Sequence, residues 1–358
     1  MSYLLAFAGF AALVVLHEAG HFAAAKAVGM RVEKFSLFFG PMLVKWRWGE
    51  TVYGIGPIPL GGYVKITGQN PHEPMAPEVA PRAFFRQPVW KRVVVIAAGP
   101  AVNLVLAFLL VWGVYTFNGG AKPSRTIAAV NPHAPAAGLL HKGDRLVAVD
   151  GRRASILGMS GLIARHHCAI PPIAGCTAAT PARITVARRG QVRTFAIAPR
   201  YDPDRRRTLV GFAYGSVTVS ESPDTAAHDA LTAMWKVTSG TVSAIANALF
   251  SSQDRKKVGS VVGAYEVTRQ SFTFSTAAAM FLLGMISLSL AIVNLFPFLP
   301  LDGGHIFWAL AEKVRGRPIP FSVMERAGAI GFVLILMLFF VGVTNDIDRL
   351  TGRGFGIR

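Results

Sequence analysis

The sequence predicts an α-helical multi-pass membrane protein with four transmembrane helices, an inserted extracytoplasmic α+β domain and a β-hairpin on the cytoplasmic side. Three observations lead to this fold class. The 358 residues are 52% hydrophobic and only 16% charged, whereas soluble proteins carry about 25% charged residues. The hydrophobic residues gather in four long blocks. A segment that reads as short strands and turns separates the second block from the third.

Each block approaches or exceeds the length of about 20 apolar residues that crosses a bilayer as a helix. The last block is the shortest, so a buried helix is the alternative for that block. We expect the membrane core to consist of residues 1–117 and 272–358, with a cytoplasmic-side loop at 28–92. The expected spans cover residues 4–27, 93–117, 272–299 and 327–344.

The distribution of positive charge predicts the orientation. Loops 28–92 and 302–326 are rich in Lys and Arg, which favours the cytoplasm, and loop 118–271 then lies outside. We therefore expect a multi-pass protein of the cell membrane, in contact with the lipid bilayer. The net charge of +18 is spread over both faces without a nucleic-acid-binding motif, so we expect no nucleic-acid partner.

Residues 118–200 are expected to form the extracytoplasmic domain. The string PHAPAAGLLHKGDRLVAVDG resembles the start of a PDZ domain, with a short helix, a Gly-Asp turn, a strand and an Asp-Gly turn. A PDZ domain binds an extended peptide at a sheet edge, so the resemblance implies a peptide or ectodomain ligand. The alternative is a small β-rich domain of another kind.

Residues 201–271 are expected to form a connector that contains an amphipathic helix at 228–253. We expect this helix to lie on the membrane or to pack against the PDZ-like domain. The apolar positions that share one face at helical spacing are Leu231, Trp235, Val242, Ile245 and Leu249.

Two further local patterns carry predictions. In VKWRWGETVYGIG, alternating residues flank Gly49-Glu50, which predicts a hairpin with a two-residue turn. This hairpin either pairs with an unwound substrate as an added strand or is a surface hairpin. Cys168 and Cys176 both fall in the outer loop, so we expect a disulfide. The alternatives are two free thiols or an adventitious metal site with the adjacent histidines.

The chemistry starts inside the first block, where His17-Glu18-Ala19-Gly20-His21 forms an H-E-x-x-H pattern. Positions i and i+4 share a helix face, so both imidazoles can reach one metal ion. Glu18 is then placed to take a proton from water at that metal. The alternative is a pair of buried histidines satisfied by hydrogen bonds. Each ionisable group within a span costs about 2.5–3.5 kcal/mol on insertion scales, which favours the metal site.

A catalytic zinc site needs a third protein ligand. Asp302, in NLFPFLPLDGGH, is the other charged residue set against a long apolar block, and it approaches the depth of the histidines from the third span. His305 is the rival third ligand. Alternatively, LDGG is an ordinary turn that ends a helix.

These motifs together resemble the site-2 protease family of membrane-embedded zinc metalloproteases, and specifically the bacterial regulator-of-sigma-E protease branch. The matching strings are HEAGH in the first span, GPAVN in the second, the single PDZ-like module, and NLFPFLPLDGGH in the third. The resemblance implies zinc held by His17, His21 and Asp302, with Glu18 as the catalytic acid/base. It also implies that Asn294 helps to hold the substrate, and we expect the same of Asn103, at the end of GPAVN.

The predicted function is intramembrane hydrolysis of peptide bonds in or near transmembrane segments of membrane proteins. The resemblance implies regulated intramembrane proteolysis, with an anti-sigma factor as one kind of substrate. The site is expected to open towards the cytoplasm. The alternative function is a catalytically silent membrane scaffold that presents the PDZ-like module, but such a scaffold does not need Glu18.

Overall fold

A computed structural model describes the chain apart from residues 59–60, 71, 170–172, 204, 251–258 and 353–358. The helices within the described residues are α1 (Ser2–Ala27), α2 (Val89–Asn118), α3 (Ile156–Ala164), α4 (Pro223–Phe250), α5 (Val261–Phe274), α6 (Thr276–Asn294), α7 (Asp302–Arg315) and α8 (Phe321–Thr351). The strands are β1 (Val32–Leu37), β2 (Val44–Trp48), β3 (Thr51–Ile55), β4 (Tyr63–Ile66), β5 (Gly120–Val130), β6 (Arg145–Val149), β7 (Ala182–Arg188), β8 (Gln191–Ile197), β9 (Arg200–Asp202), β10 (Arg207–Leu209) and β11 (Phe212–Val219). The chain divides into two compact units, one formed by Met1–Phe117 with Ser222–Arg358 and the other by Asn118–Glu221.

Four helices of the first unit, α1, α2, α6 and α8, are long and apolar enough to cross a membrane. Each of them overlaps one of the four hydrophobic blocks of the sequence, so four helices are present where spans were expected. The lengths are 26, 30, 19 and 31 residues in that order. A helix rises 1.5 Å per residue, so even the shortest of them approaches the thickness of about 30 Å that a bilayer core requires.

The third span is shorter than the expected 272–299. Helix α6 begins after Ser275, whose side chain accepts a hydrogen bond from the backbone N–H of Ala278 and caps the helix. It ends at Asn294, ahead of Pro297 and Pro300, which cannot donate the backbone hydrogen bonds of a continuing helix. The chain is therefore non-helical until α7 begins at Asp302.

Strands β1 to β4 form a sheet in the order β2-β3-β1-β4. The predicted hairpin is confirmed: β2 and β3 pair antiparallel from Val44↔Ile55 to Trp48↔Thr51, around a turn at Gly49 and Glu50. Gly49 has a φ of 61°, a conformation that glycine adopts without strain. The core between this sheet and helices α1 and α2 consists of Ala25, Met30, Val32, Ile66, Phe84, Val95 and Ile96.

Helix α4 covers most of the expected amphipathic helix; residues 251–253 and the side chain of Leu249 lie outside the described part. Its buried face is formed by Ala226 and Ala230, which are fully buried. Further along, Met234 and Val237 pack against α2 and α6. The expected apolar face is turned outward, since the side chain of Trp235 is 71% exposed. The helix therefore packs within the first unit and leaves a second apolar face uncovered.

The second unit contains a five-stranded sheet in the order β11-β5-β6-β7-β8, together with the β9–β10 ribbon and helix α3. Its core includes Ile127, Leu146 and Ile184 from the sheet and Met159 and Ile163 from α3. The unit extends beyond the expected limit at residue 200, because β11 pairs with β5 along most of its length. The expected connector is therefore divided between the two units.

The predicted disulfide between Cys168 and Cys176 is confirmed. The two Cα atoms are 6.2 Å apart, within the range that disulfides bridge. The bond closes a short loop between α3 and β7.

Candidate metal centre and catalytic site

His17 and His21 lie one turn apart on α1, so their imidazoles project from the same side of the helix. Their Nε2 atoms are 3.2 Å apart. Asp302, the first residue of α7, brings its Oδ2 atom to 3.3 Å from Nε2 of His17 and 3.4 Å from Nε2 of His21. Both histidines are buried. The structure thus brings together the three residues that the sequence predicts as metal ligands.

The three ligand atoms form a nearly equilateral triangle that fits a tetrahedral zinc site. Zinc binds histidine nitrogen and carboxylate oxygen at about 2.0–2.2 Å, which places two ligand atoms about 3.3–3.6 Å apart on a tetrahedron. Nδ1 of His21 donates a hydrogen bond to the Val95 carbonyl oxygen at 2.9 Å, which leaves Nε2 free to bind a metal. Oδ2 of Asp302 is buried and has no hydrogen-bond partner among the described residues. A buried carboxylate oxygen of this kind needs a cation.

His305, the alternative third ligand, does not join this cluster. Among the described residues, His17, His21 and Asp302 are the group of side chains whose ligand atoms converge. His305 instead lines the cavity next to the cluster, one turn along α7 from Asp302. The geometry favours Asp302 as the third ligand. It also shows that LDGG begins a helix rather than ending one.

Glycines allow the elements of the site to approach one another closely. A Cβ atom on Gly20 would lie 2.6 Å from the carbonyl oxygen of Ala98, and one on Gly99 would lie 2.2 Å from Nε2 of His21. Real Cβ contacts are essentially never this short, so a larger residue at Gly20 would push α1 and α2 apart and one at Gly99 would displace the His21 imidazole. In α7, a Cβ atom on Gly303 would lie 2.2 Å from the carbonyl oxygen of Leu295. The glycines of HEAGH, GPAVN and LDGG thus bring the ligands together.

A cavity of about 480 Å³ opens beside the three ligands. Glu18 lines it together with Asn294 and with residues 61–64, which lead into and form the start of β4. The backbone amide of Val64 interacts with the Glu18 carboxylate, and a Cβ atom on Gly62 would lie 3.1 Å from Cγ of Glu18. Strand β4 and the residues that precede it therefore lie next to the predicted acid/base.

The two asparagines that were expected to contact substrate differ in their surroundings. Asn294, the last residue of α6, is half-buried and lines the cavity. No hydrogen bond within the described part of the chain occupies its side-chain amide. Asn103 is fully buried, and its amide lies 3.1 Å from Nδ1 of His17. Asn103 therefore lies behind a ligand and away from the space that a substrate would enter.

The hairpin that was expected to receive substrate is separated from the cavity by two strands. The sheet order places β2 at one edge and β4 at the other, and β4 is the strand that lines the cavity. Sequence reasoning missed β4 because GGYVKI contains only four strand residues and no hairpin turn. The alternation in its Tyr63-Val64-Lys65-Ile66 segment was the available signal.

Comparison with known proteins points to the same chemistry. The sequence profile of the family described as Peptidase family M50 matches residues 5–338. A protein of Rhizobium meliloti named as a zinc metalloprotease is 29% identical, and the alignment covers 95% of this chain and 94% of that protein. A protein of Nostoc named in the same way is 27% identical over 98% of this chain and 97% of its own length. Zinc metalloprotease Rip1 of Mycobacterium bovis is 29% identical over 93% of this chain and 94% of its own length.

The profile match extends over nearly the whole chain and includes all three converging ligands and Glu18. Together with the four apolar helices, it identifies a multi-pass membrane protein with zinc as its cofactor and metalloendopeptidase activity. The chain belongs to the M50 family of zinc metallopeptidases, the site-2 proteases.

Proposed function

We propose that this zinc metalloprotease hydrolyses peptide bonds in or near the transmembrane segments of other membrane proteins. The observation that carries the proposal is the position of the ligand cluster. His17 and His21 belong to a helix that is long and apolar enough to cross a membrane, and Asn103, which contacts His17, lies near the middle of another. A catalytic centre at that depth is suited to substrates that are themselves in the membrane.

His17, His21 and Asp302 would hold the zinc ion, and Glu18 would act as the acid/base. When bound, zinc makes water a nucleophile near neutral pH and polarises a peptide carbonyl. Glu18 accepts the proton from the attacking water and then transfers it to the nitrogen of the departing amine. Its place in the cavity, beside the ligands, suits both transfers.

A substrate helix must unwind before it can be cut, because its carbonyl groups are engaged in i to i−4 hydrogen bonds. Strand β4 is one of the two edge strands of its sheet and borders the cavity, so an unwound segment can pair with it as an added strand. Asn294 lines the same cavity, and no hydrogen bond from the described residues occupies its side-chain amide. These two features support an extended substrate held between β4 and the end of α6.

The second unit is proposed to be a PDZ-like module that binds a peptide or ectodomain segment of a partner. Helix α3 and the edge strand β11 border a cavity of about 960 Å³ in this unit, as the strand-addition mode requires. We further propose that the active site faces the cytoplasm and that the second unit is extracytoplasmic. A single-span regulator such as an anti-sigma factor is the kind of substrate that this arrangement suits, in regulated intramembrane proteolysis.

The test separates metal binding from turnover in purified protein with a single-span membrane substrate. We expect Glu18→Gln to keep about one equivalent of zinc while hydrolysis falls at least about 10²-fold, the low end for a lost acid/base. Asp302→Ala should lose zinc and activity together, because it removes a ligand. His305→Ala is the matched control on α7 and should keep its zinc.

Two outcomes would contradict the proposal. Cleavage by Glu18→Gln at the parental rate would exclude the proteolytic mechanism and favour the scaffold function. Full zinc content in Asp302→Ala together with loss of zinc in His305→Ala would show that the third ligand is misassigned.

A further inference from the structure

The second unit contains a large cavity that hydrolysis at the metal centre does not use. It has a volume of about 960 Å³ and lies between α3 and the start of β11. Among the described residues, strand β11 pairs with β5 on one side only and forms one edge of its sheet. Its other edge therefore offers backbone N–H and C=O groups to an extended peptide.

The floor of the cavity is apolar. From β11, Phe212 and Tyr214 line it with rings 5.1 Å apart. Ile156 and Leu157 line it from α3, and the Leu157 side chain is 86% exposed. An apolar side chain of a ligand can pack against this exposed leucine at the rim of the cavity.

One wall of the cavity is strongly basic. Arg200, Arg205 and Arg207 line it from the β9–β10 ribbon and are exposed. Within the described residues, none of the three guanidinium groups forms an ion pair with a carboxylate. Residues 200–207 contain four arginines and two aspartates, so the ribbon carries a net charge of +2. Asp202 is the acidic residue of the described lining.

The disulfide loop holds this wall in place. The backbone N–H of Tyr201 donates to the carbonyl of Cys176 at 2.8 Å, and that of Gly175 donates to the carbonyl of Tyr201 at 3.2 Å. The backbone N–H of Ala178 donates to the carbonyl of Pro199 at 2.7 Å. The cysteine-containing insertion thus pairs with the strand that carries the first arginine, which fixes the basic wall relative to the cavity.

We propose that this cavity binds an extended acidic segment of a partner protein, with its backbone along β11, its apolar side chains on α3 and its carboxylates on the β9–β10 arginines. This inference rests on the proposed peptide-binding role of the second unit and adds the charge of the ligand. Alternate side chains of an added strand point to opposite faces. In a segment with alternating acidic and β-branched residues, the carboxylates can therefore contact the arginines of the basic wall while the β-branched side chains pack on the apolar floor.

The test uses three fluorescein-labelled decapeptides, in which Val alternates with Glu, Gln or Lys, and the full chain in detergent. We expect the Glu peptide to bind about fivefold more tightly than the Gln peptide, since exposed ion pairs contribute modestly. The Lys peptide should bind most weakly. The preference should decrease as salt is raised, because the pairs are solvent-exposed.

Variants locate the effect on the chain. R205E/R207E should abolish the preference for Glu over Gln, whereas R189E/R193E, with two exposed arginines outside the cavity, should keep it. L157S should weaken the binding of all three peptides to a similar extent. C168S/C176S should reduce the preference, because it releases the loop that holds β9.

The proposal is overturned if the Glu and Gln peptides bind equally, if none of the three binds, or if both double-arginine variants lose the preference alike. Displacement of the Glu peptide by dihexanoyl phosphatidylglycerol below its micellar concentration would instead assign the arginines to lipid headgroups. Zinc content and hydrolysis, measured on the same preparations, test the metalloprotease function separately, since no binding outcome depends on them.

Discussion

In both His17 and His21, the Nδ1 atom that faces away from Asp302 has a buried hydrogen-bond partner. His21 donates from Nδ1 to the carbonyl oxygen of Val95. Nδ1 of His17 lies beside the amide of Asn103, whose Oδ1 atom is buried without a partner among the described residues. Turning the Asn103 amide by 180° lets Oδ1 accept from the protonated Nδ1 of His17. This arrangement leaves Nε2 of His17 unprotonated and directed towards Oδ2 of Asp302, where we propose that zinc binds.

The first prediction concerns this orienting role. Asn103→Ala should weaken zinc binding about 10–100-fold, the usual effect of removing a group that orients a ligand. Asn103→Asp keeps an acceptor for Nδ1 of His17 and should retain most of the zinc affinity. Competition with a chelator gives the zinc affinity, and cleavage kinetics give KM. If Asn103→Ala has unchanged zinc affinity and a raised KM, the orienting role is wrong and Asn103 contacts the substrate instead.

At the scale of secondary-structure elements, the two edge strands of the four-stranded sheet in the first unit, β2 and β4, have different surroundings. Strand β4 borders the catalytic cavity. Strand β2 lies at the opposite edge, and all five of its residues are exposed, including Trp46 and Trp48. A segment paired with β4 would therefore lie beside Glu18, whereas one paired with β2 would lie at the opposite edge of the sheet.

We therefore expect substrate to be captured from one edge only. A photo-crosslinking phenylalanine derivative at Tyr63 should capture a membrane substrate when Glu18 is replaced by Gln to prevent turnover. The same group at Trp46 is the matched control, an aromatic position on the other edge, and should give at least about tenfold less product. Capture at Trp46 but not at Tyr63 would show that the hairpin receives the substrate.

The hairpin turn is anchored by a charged cluster. Glu50 accepts hydrogen bonds from Lys26 at 2.6 Å and from Arg82 at 2.7 and 2.8 Å. The Arg82 hydrogen bonds, followed by those of Lys26, lower the pKa of Glu50 from 4.5 to about 2 despite partial burial. These contacts join the turn of β2 and β3 to the end of α1 and to the segment before α2.

The third prediction follows from the sign of this shift. A carboxylate whose pKa is depressed in the folded state contributes stability above its unfolded value, and that stability is lost as pH falls from about 4.5 through about 2. Glu50→Gln should destabilise the protein by about 1 kcal/mol at pH 7, after allowance for solvent screening. The difference from the parent should vanish near pH 2 in chemical unfolding. Glu78→Gln, at an exposed position in the same loop, should have no effect at either pH.

At the scale of the whole molecule, the sequence predicts the four spans, the hairpin, the disulfide and the convergence of His17, His21 and Asp302. The spans, the hairpin and the pairing of His17 with His21 depend on local patterns: hydrophobic blocks, a two-residue turn and i to i+4 spacing. The prediction of Asp302 and of the disulfide depends instead on where the spans and loops place these residues. The role of β4 depends on a parallel pairing of β1 with β3, which no local pattern reveals. The position of Asn103 likewise depends on how closely α2 approaches α1, which is set by Gly20 and Gly99.

The remaining prediction is the orientation of the chain in the membrane. Residues 28–92 include nine Lys and Arg residues and residues 302–326 include four, which favours the cytoplasm for both segments. The protein has two cysteines, and they are joined to each other. A single introduced cysteine is therefore the only free thiol available for labelling.

We expect Lys142→Cys, an exposed position in the second unit, to react with a membrane-impermeant maleimide in intact cells. Val314→Cys on α7, where the native side chain is 91% exposed, should react only after the membrane is permeabilised. Both positions are open to reagent in the folded protein, so a difference between them reports the side of the membrane rather than burial. Labelling of Val314→Cys but not Lys142→Cys in intact cells would reverse the orientation, and it would place the catalytic cavity on the extracytoplasmic side.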